Sequence, residues 1–241
     1  MDTVEVSGDD SVAHIRLNRP ERLNAVNAAL VEDLLAALDH VAGSDAAAVV
    51  LSGQGRAFCA GHDLKEPVPT GDSRARLDRL QEVTRRLRAL RQPVVAAVHG
   101  YAIGAGAEFA LGCDLVVAGE DSVFAFPEAT LGLSVTGAAS RLLPSLVGPL
   151  KAKELLLLGE RIDAATAERL GLVNVVAPDP LDTATAWARK IAGHPGATLA
   201  KRALDASTDI EAALELEVSH ALITEVSPAV ARSAEAFRSR R

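Results

Sequence analysis

The sequence predicts an α/β fold built on a parallel sheet, and three observations carry that expectation. Three short, continuous apolar runs, at 48–51, 94–98 and 115–118, are bounded by turn residues, as strands buried on both faces require. Between the first two lies an Arg-rich stretch, 73–91, in which Leu77, Leu80, Leu87 and Leu90 recur at helical spacing. Of the 241 residues 49% are apolar, which is ample for one substantial core. Strand, helix, strand, helix, strand is the rhythm of parallel units joined by right-handed crossovers.

The remaining elements follow in order. Residues 4–17 alternate in two bursts around Gly8, Asp9 and Asp10, the pattern of a hairpin. From Asn24 the period lengthens: Val26, Leu30, Leu34, Leu38 and Val41 mark a helix that stops at Gly43. After about residue 150 strand patterns fade, except at 172–176, and helical stripes dominate. One stripe runs through Ile210, Ala213, Leu214, Val218, Ala221 and Leu222, with Glu217 as its polar interruption. Residues 228–241 read as a last helix. A core domain over 1–185 and a helical C-terminal region over 186–241 are therefore expected, the latter packed on the core or on a neighbouring subunit.

Charge and composition exclude several classes of function. A net charge of −7 lacks the basic excess that nucleic acid or an anionic membrane surface demands. No uninterrupted apolar stretch reaches membrane-spanning length. The first ten residues, MDTVEVSGDD, have neither a basic nor an apolar secretory region, so a cytoplasmic protein is expected. Cys59 and Cys113 sit in apolar surroundings without metal-ligand spacing and are expected to be small buried hydrophobes. No His/Asp/Glu cluster has ligand spacing, so no metal is expected.

Two Gly/Ala-rich turns break the rhythm where chemistry can use them. One is FCAGHDL at 58–64, after the first buried run; the other is GYAIGAGAE at 100–108, after the second. Small residues let backbone approach a ligand closely. The second turn leads into a helical pattern, whose first N–H groups are free to point outward. In open α/β sheets ligands bind beyond the carboxyl ends of the strands. Two such turns there could present two N–H groups to one oxygen, the arrangement that stabilises an enolate or tetrahedral oxyanion. Taken singly, either turn could be no more than a tight turn. Glycines at 100, 104 and 106 do not make the G-x-G-x-x-G of a dinucleotide site, and no G-x-S-x-G elbow is present.

Several motifs in order carry a resemblance. Gly100, Gly104, Ala105, Gly106, Leu111, Cys113, Asp114 and Leu115 resemble the signature of the enoyl-CoA hydratase/isomerase (crotonase) family. The run AFCAGHDLK at 57–65 is similar to that family's first oxyanion segment. Asn18, Arg19 and Pro20 with Leu23, Asn24 and Ala25 precede it, while GERIDA at 159–164 and GLV at 171–173 follow in the family's order. The likeness spans essentially the whole chain.

The resemblance implies a crotonase-like ββα spiral core with a helical C-terminal trimerisation layer, forming a homotrimer or a hexamer of two trimers. It implies an enzyme acting on an acyl-CoA thioester, with no further cofactor. The backbone N–H groups of His62 and Ala105 are the implied oxyanion donors, the imidazole of His62 merely lining the pocket mouth. Glu108 and Glu128 match the two glutamates of the hydratases: Glu108 chiefly the water-activating base, Glu128 chiefly the acid for the α-carbon. Coenzyme A is expected along the first turn, with the backbone of Ala60, Asp63 and Leu64 at the adenine and Leu23 beside the pantetheine. Arg22 and Arg56 are the expected phosphate partners, and Phe237 of the last helix completes the binding set. Both glutamates together favour an enoyl-CoA hydratase over a Δ3,Δ2-enoyl-CoA isomerase, another lyase or hydrolase of the fold, or a non-catalytic acyl-CoA-binding subunit. The sequence departs from the family at 132–139. Val135 replaces a proline there, and Thr136 stands where a glycine backbone commonly helps hold the water, which narrows the acyl pocket. Residues 66–73 are expected near the acyl tunnel.

Overall fold

The N-terminal hairpin forms as its alternation requires. Strand β1 (Val4–Gly8) pairs antiparallel with β2 (Val12–Leu17), and Asp9 closes the turn by accepting the Ser11 and Val12 N–H groups, each at 2.9 Å. The computed structural model describes residues 1–65, 71–194, 196–205, 210–226 and 228–239, without certain side chains of the last three helices. Helix α1 (Ala28–Ala42) begins later than the periodicity suggests. The Asn27 side chain caps it by accepting the Leu30 N–H, so Val26 falls outside. Val26 instead donates its N–H to the Gly61 carbonyl and accepts from the Asp63 N–H, bridging to the first turn.

Three parallel strands then extend the sheet: β3 (Ala48–Gly53), β4 (Val94–Val98) and, beyond the second turn, β6 (Leu115–Gly119). Helix α2 (Ser73–Ala89), capped by Asp72, crosses from β3 to β4. Between β4 and β6 the chain makes β5 (Tyr101–Ile103), a short strand inside the segment whose glycines predict only a turn, and then α3 (Ala105–Gly112). Next come β7 (Val123–Ala125), α4 (Ala139–Val147), α5 (Pro149–Leu158), β8 (Ile162–Asp163), α6 (Ala164–Arg169) and β9 (Val175–Ala177). The six-stranded sheet has the order β1-β2-β3-β4-β6-β9, and all its neighbours but β1 and β2 are parallel. A second sheet of three strands has the order β5-β7-β8. The strand expected at 172–176 is shorter and later: Leu172 and Val173 are core residues preceding β9.

Both faces of the large sheet are covered, which explains the unbroken apolar runs. On β3, Val49 and Leu51 join the main core with α1, α2 and α3, whereas Ala48 and Val50 face a second cluster. Ala184, Trp187, Ala188 and Ile191 of α7 (Pro180–Ala192) build that second cluster. A domain boundary after residue 185 would cut α7, so the sheet-packing part of the chain continues to the end of this helix. Both cysteines are buried and free.

Helices α8 (Ala197–Asp205), α9 (Ile210–Glu225) and α10 (Pro228–Ser239) form the C-terminal layer. Leu214, Val218 and Ala221 of α9 are buried, the latter two beside Leu77 of α2; the side chains of Ala213 and Glu217 lie outside the described residues. Lys201 anchors α8. Only 7% exposed, it meets Asp114 at 2.7 Å, with the carbonyls of Leu87 and Gln92 at 3.3 and 3.4 Å. Asp114 also accepts the Val94 N–H at 2.7 Å, joining α8 to the start of β4. Removing one partner of a buried ion pair strands the other charge. Lys201→Met should therefore lower unfolding stability by about 3 kcal/mol, read as a lower midpoint in urea with unchanged far-UV circular dichroism.

Candidate active site

The two small-residue turns are laid side by side by main-chain hydrogen bonds. Phe58 N–H donates to the His99 carbonyl and Cys59 N–H to that of Tyr101, both at 2.8 Å; Ile103 N–H returns to Cys59 at 3.0 Å. Glycine is required where the strands touch. A Cβ on Gly106 would stand 2.2 Å from the Cys59 carbonyl oxygen, and one on Gly61 would stand 2.7 Å from that of Ile103. Gly104, at φ 54° and ψ −121°, adopts a backbone conformation that side chains rarely tolerate. It turns the chain sharply from β5 into α3, leaving Ala105 as the first helical residue.

The consequence is two available amides in adjacent turns. Gly61 and Gly104 are neighbours across the gap: a Cβ on Gly104 would lie 4.0 Å from the Gly61 Cα. The residues after them are His62 and Ala105. Among the described residues neither N–H finds a hydrogen-bond acceptor, whereas their neighbours do: Asp63 N–H donates to Val26 and Glu108 N–H to Gly104. The His62 imidazole is half-buried. Burial, and next the charge of Arg76, push its pKa below the ordinary histidine value.

The two glutamates converge from different elements. Glu108 lies on the first turn of α3 and is 1% exposed; Glu128 opens the 3₁₀ turn Glu128–Leu131 and is 8% exposed. A Cβ on Gly104 would meet Glu128 Oε1 at 2.6 Å, so this carboxyl lies against the second turn itself. Glu128 Oε2 is buried without a hydrogen-bond partner. Its environment opposes ionisation. Burial first, and the charge of Glu108 second, push its pKa up to about 8. Glu108 is also raised by burial, but two hydrogen bonds from Thr136 pull the other way: the amide to Oε1 at 2.7 Å and the hydroxyl to Oε2 at 2.5 Å.

Three uncharged groups behind Glu108 were not singled out from the sequence. A Cβ on Gly137 would meet Glu108 Cβ at 2.8 Å and the Thr84 hydroxyl at 3.3 Å. Gln81 accepts the Gly137 N–H at 2.7 Å and donates to the Leu214 carbonyl at 3.2 Å, linking the 132–138 loop to α9. Gln81 and Thr84 are polar residues on the buried stripe of α2, and that mismatch with the helical period was visible beforehand.

The expected coenzyme-binding residues cluster around the first turn with altered engagements. Arg22 is committed rather than free: its guanidinium holds Asp63 bidentately at 2.7 and 3.2 Å, and Arg19 reaches the same carboxylate at 3.2 Å. Burial opposes the Asp63 charge, yet Arg22, then the Lys65 amide and Arg19, keep its carboxyl below the usual carboxylate range. The amides of Ala60, Asp63 and Leu64 all donate internally, to Leu23, Val26 and His62. Leu23 and Arg56 line an open depression of about 400 Å³ with Gly100, Tyr101, Asp121 and Val123. The Phe237 side chain and residues 66–70 lie outside the described residues. Among those residues no group of three or more His, Cys, Asp or Glu is placed to hold a metal ion, and no helix is long and apolar enough to cross a membrane.

Known proteins share this plan. The family model described as Enoyl-CoA hydratase/isomerase matches residues 7–238. A probable enoyl-CoA hydratase, echA6, of Mycobacterium tuberculosis is 41% identical over 189 residues, covering 78% of this chain and 76% of its own. The 2,3-dehydroadipyl-CoA hydratase of Escherichia coli is 39% identical over 215 residues, covering 87% and 84%. The crystal structure of an enoyl-CoA hydratase/isomerase from Mycobacterium paratuberculosis superposes with a TM-score of 0.90 at 33% identity, over 98% of each chain. With a family model spanning nearly its whole length and a matching fold, this chain belongs to the enoyl-CoA hydratase/isomerase family.

Proposed function

We propose that the protein adds water reversibly across the double bond of a trans-2-enoyl-CoA thioester. The observation that carries this reading is the buried pair Glu108 and Glu128 beside two unpaired amides. Hydration needs one group to take a proton from water and another to deliver one to the α-carbon. Glu108 accepts the water proton as the water oxygen bonds to the β-carbon. The π electrons move toward the thioester, and the oxyanion of the resulting enolate rests on the N–H groups of His62 and Ala105. Glu128 gives its proton to the α-carbon, and a proton returning from Glu108 to Glu128 through water restores the site. Each oxyanion donor contributes roughly 2.7–4 kcal/mol to lowering such a barrier.

The same reading places the thioester between the two turns and coenzyme A along the first. Arg56, beside Leu23 in the open depression, serves the phosphates, which supplies a local cation in an acidic chain. Arg22 contributes by holding Asp63 and so the shape of the turn. With the amides of Ala60, Asp63 and Leu64 engaged, their carbonyls are left to face the adenine. Phe237 remains part of the proposed set. Exposed leucines on α5 and α8, among them Leu150 (81% exposed), Leu157 (68%) and Leu204 (73%), support a homotrimer or a dimer of trimers. Multi-angle light scattering should return three or six times the 25.1 kDa chain mass; a monomer would refute this assembly.

Mixed with crotonyl-CoA, the protein should bleach the conjugated-thioester absorbance and yield 3-hydroxybutyryl-CoA by mass. Glu108→Gln and Glu128→Gln should each reduce kcat by about 100-fold or more. Conversion of a 3-enoyl isomer without hydration would replace this reading with an isomerase. Binding of crotonyl-CoA by the wild type without turnover would leave a binding subunit, and full turnover in both variants would remove the glutamates from the mechanism. Glu128 must carry its proton, so kcat/KM for hydration should fall as pH rises through about 8. Gly104→Ala drives a methyl into the Glu128 carboxyl and strains the turn. It should reduce kcat by about 100-fold or more while circular dichroism stays native.

A further inference from the structure

Two carboxyls share one buried pocket, yet their surroundings differ sharply. Glu108 receives a hydrogen bond on each oxygen, and both come from Thr136. Glu128 has its own amide as a small support for charge, one oxygen packed on Gly104 and the other without a partner. The Thr136 amide can only donate to Oε1, so with the hydroxyl donating to Oε2 both oxygens act as acceptors, which suits an ionised carboxylate. A buried carboxylate with an unpartnered oxygen is costly, so Glu128 favours its neutral form. Thr136 is held in place: it is 4% exposed, and the next amide is pinned from behind by Gln81, which itself hangs on α9.

We propose that Thr136 is the positioning residue of the glutamate pair: gripping both oxygens of Glu108 through its amide and hydroxyl, it keeps Glu108 ionised and leaves the shared proton on Glu128. The inference deepens the hydratase reading and rests on it for its catalytic consequence. The hydroxyl is the distinctive element, since an amide at this position is common to any residue. It occupies a lone pair of Glu108 Oε2, confining water to what remains, and fixes the carboxyl plane relative to the two turns. Among the described residues, other titratable groups facing Glu108 are few. Glu128 lies on the 3₁₀ turn, and Cys59, on the first turn, has a thiol pushed up to about 12 by burial and stays neutral. From α2 come Gln81 and Thr84, and from the 132–138 loop Gly137, all uncharged.

The test is to follow the glutamate carboxyls of ¹³C-labelled protein by NMR across pH, assigned with Glu108→Gln and Glu128→Gln, in wild type, Thr136→Val and Thr136→Ser. At neutral pH the wild type should show Glu108 ionised and Glu128 protonated. Valine removes the donor to Oε2, so ionisation of Glu108 becomes harder. Its titration, and with it the acid limb of kcat, should move up by about one pH unit. In the same variant kcat should fall roughly tenfold while KM for crotonyl-CoA changes less than about twofold, and serine should restore both kcat and the pH profile. A folded Thr136→Val that titrates and turns over like wild type would overturn the proposal. So would a proton found on Glu108, reversing the hydroxyl bond, or a serine variant that fails to restore. If Thr136→Val does not fold, the wild-type and serine titrations still decide it. If no enoyl-CoA is hydrated by the wild type, the functional reading fails, while the carboxyl titrations judge Thr136 separately.

Discussion

Everything at the site depends on how closely two backbone segments approach each other. The Cys59 carbonyl passes so near Gly106 that no side chain fits between them, and the ladder from Phe58 to Ile103 holds that approach in register. Backbone amides are weak donors to an oxyanion when they must first be arranged, and strong ones when the fold has already arranged them. The sheet arranges these. Strands β3 and β4 are adjacent and parallel, so their carboxyl ends open the two turns at the same edge. Gly104 then reverses the chain into α3 and leaves Ala105 unpaired.

Around that rigid frame the protein tolerates an unfavourable arrangement, two carboxyls buried within reach of each other's charge. Their cost is distributed unevenly. Thr136 satisfies Glu108, while Glu128 is left against glycine with an open oxygen, and this asymmetry gives two chemically identical groups different surroundings. The C-terminal layer contributes indirectly. Gln81 carries a hydrogen bond from α9 to the loop behind Glu108, and Lys201 ties α8 to the foot of β4. Helices far from the turns are therefore tied to the pocket wall and to the sheet beneath it.

The first turn shows the same economy in its charges. Asp63 is almost wholly buried as a side chain and takes both Arg22 and Arg19. Asn24, fully buried with a left-handed backbone, adds two hydrogen bonds to the carbonyls of Gln54 and Ala57. An acidic protein that meets an anionic ligand thus uses two of its arginines internally, for shape. Arg56 is placed differently, at the open depression.

How much of this was legible in the chain follows from the range of each interaction. The parallel strands, α2, the hairpin and the two glycine turns were readable because apolar runs, helical periods and turn residues act over a few neighbours. So were the candidate donors His62 and Ala105 and the glutamates Glu108 and Glu128, once the ordered motifs were recognised together. Strand β5 was hidden, since three residues within a glycine-rich turn become a strand only when β7 and the Cys59 segment pair with them. Arg22 looked like a free cation because Asp63 lies 41 residues away in sequence. Thr136 read only as a bulkier neighbour of the pocket. That it donates twice to Glu108, 28 residues earlier, was decided by the tertiary structure, because a hydrogen bond needs two atoms brought together in space. The sequence by itself determined which groups were available; the fold decided which of them meet, and so how differently the two glutamates are surrounded.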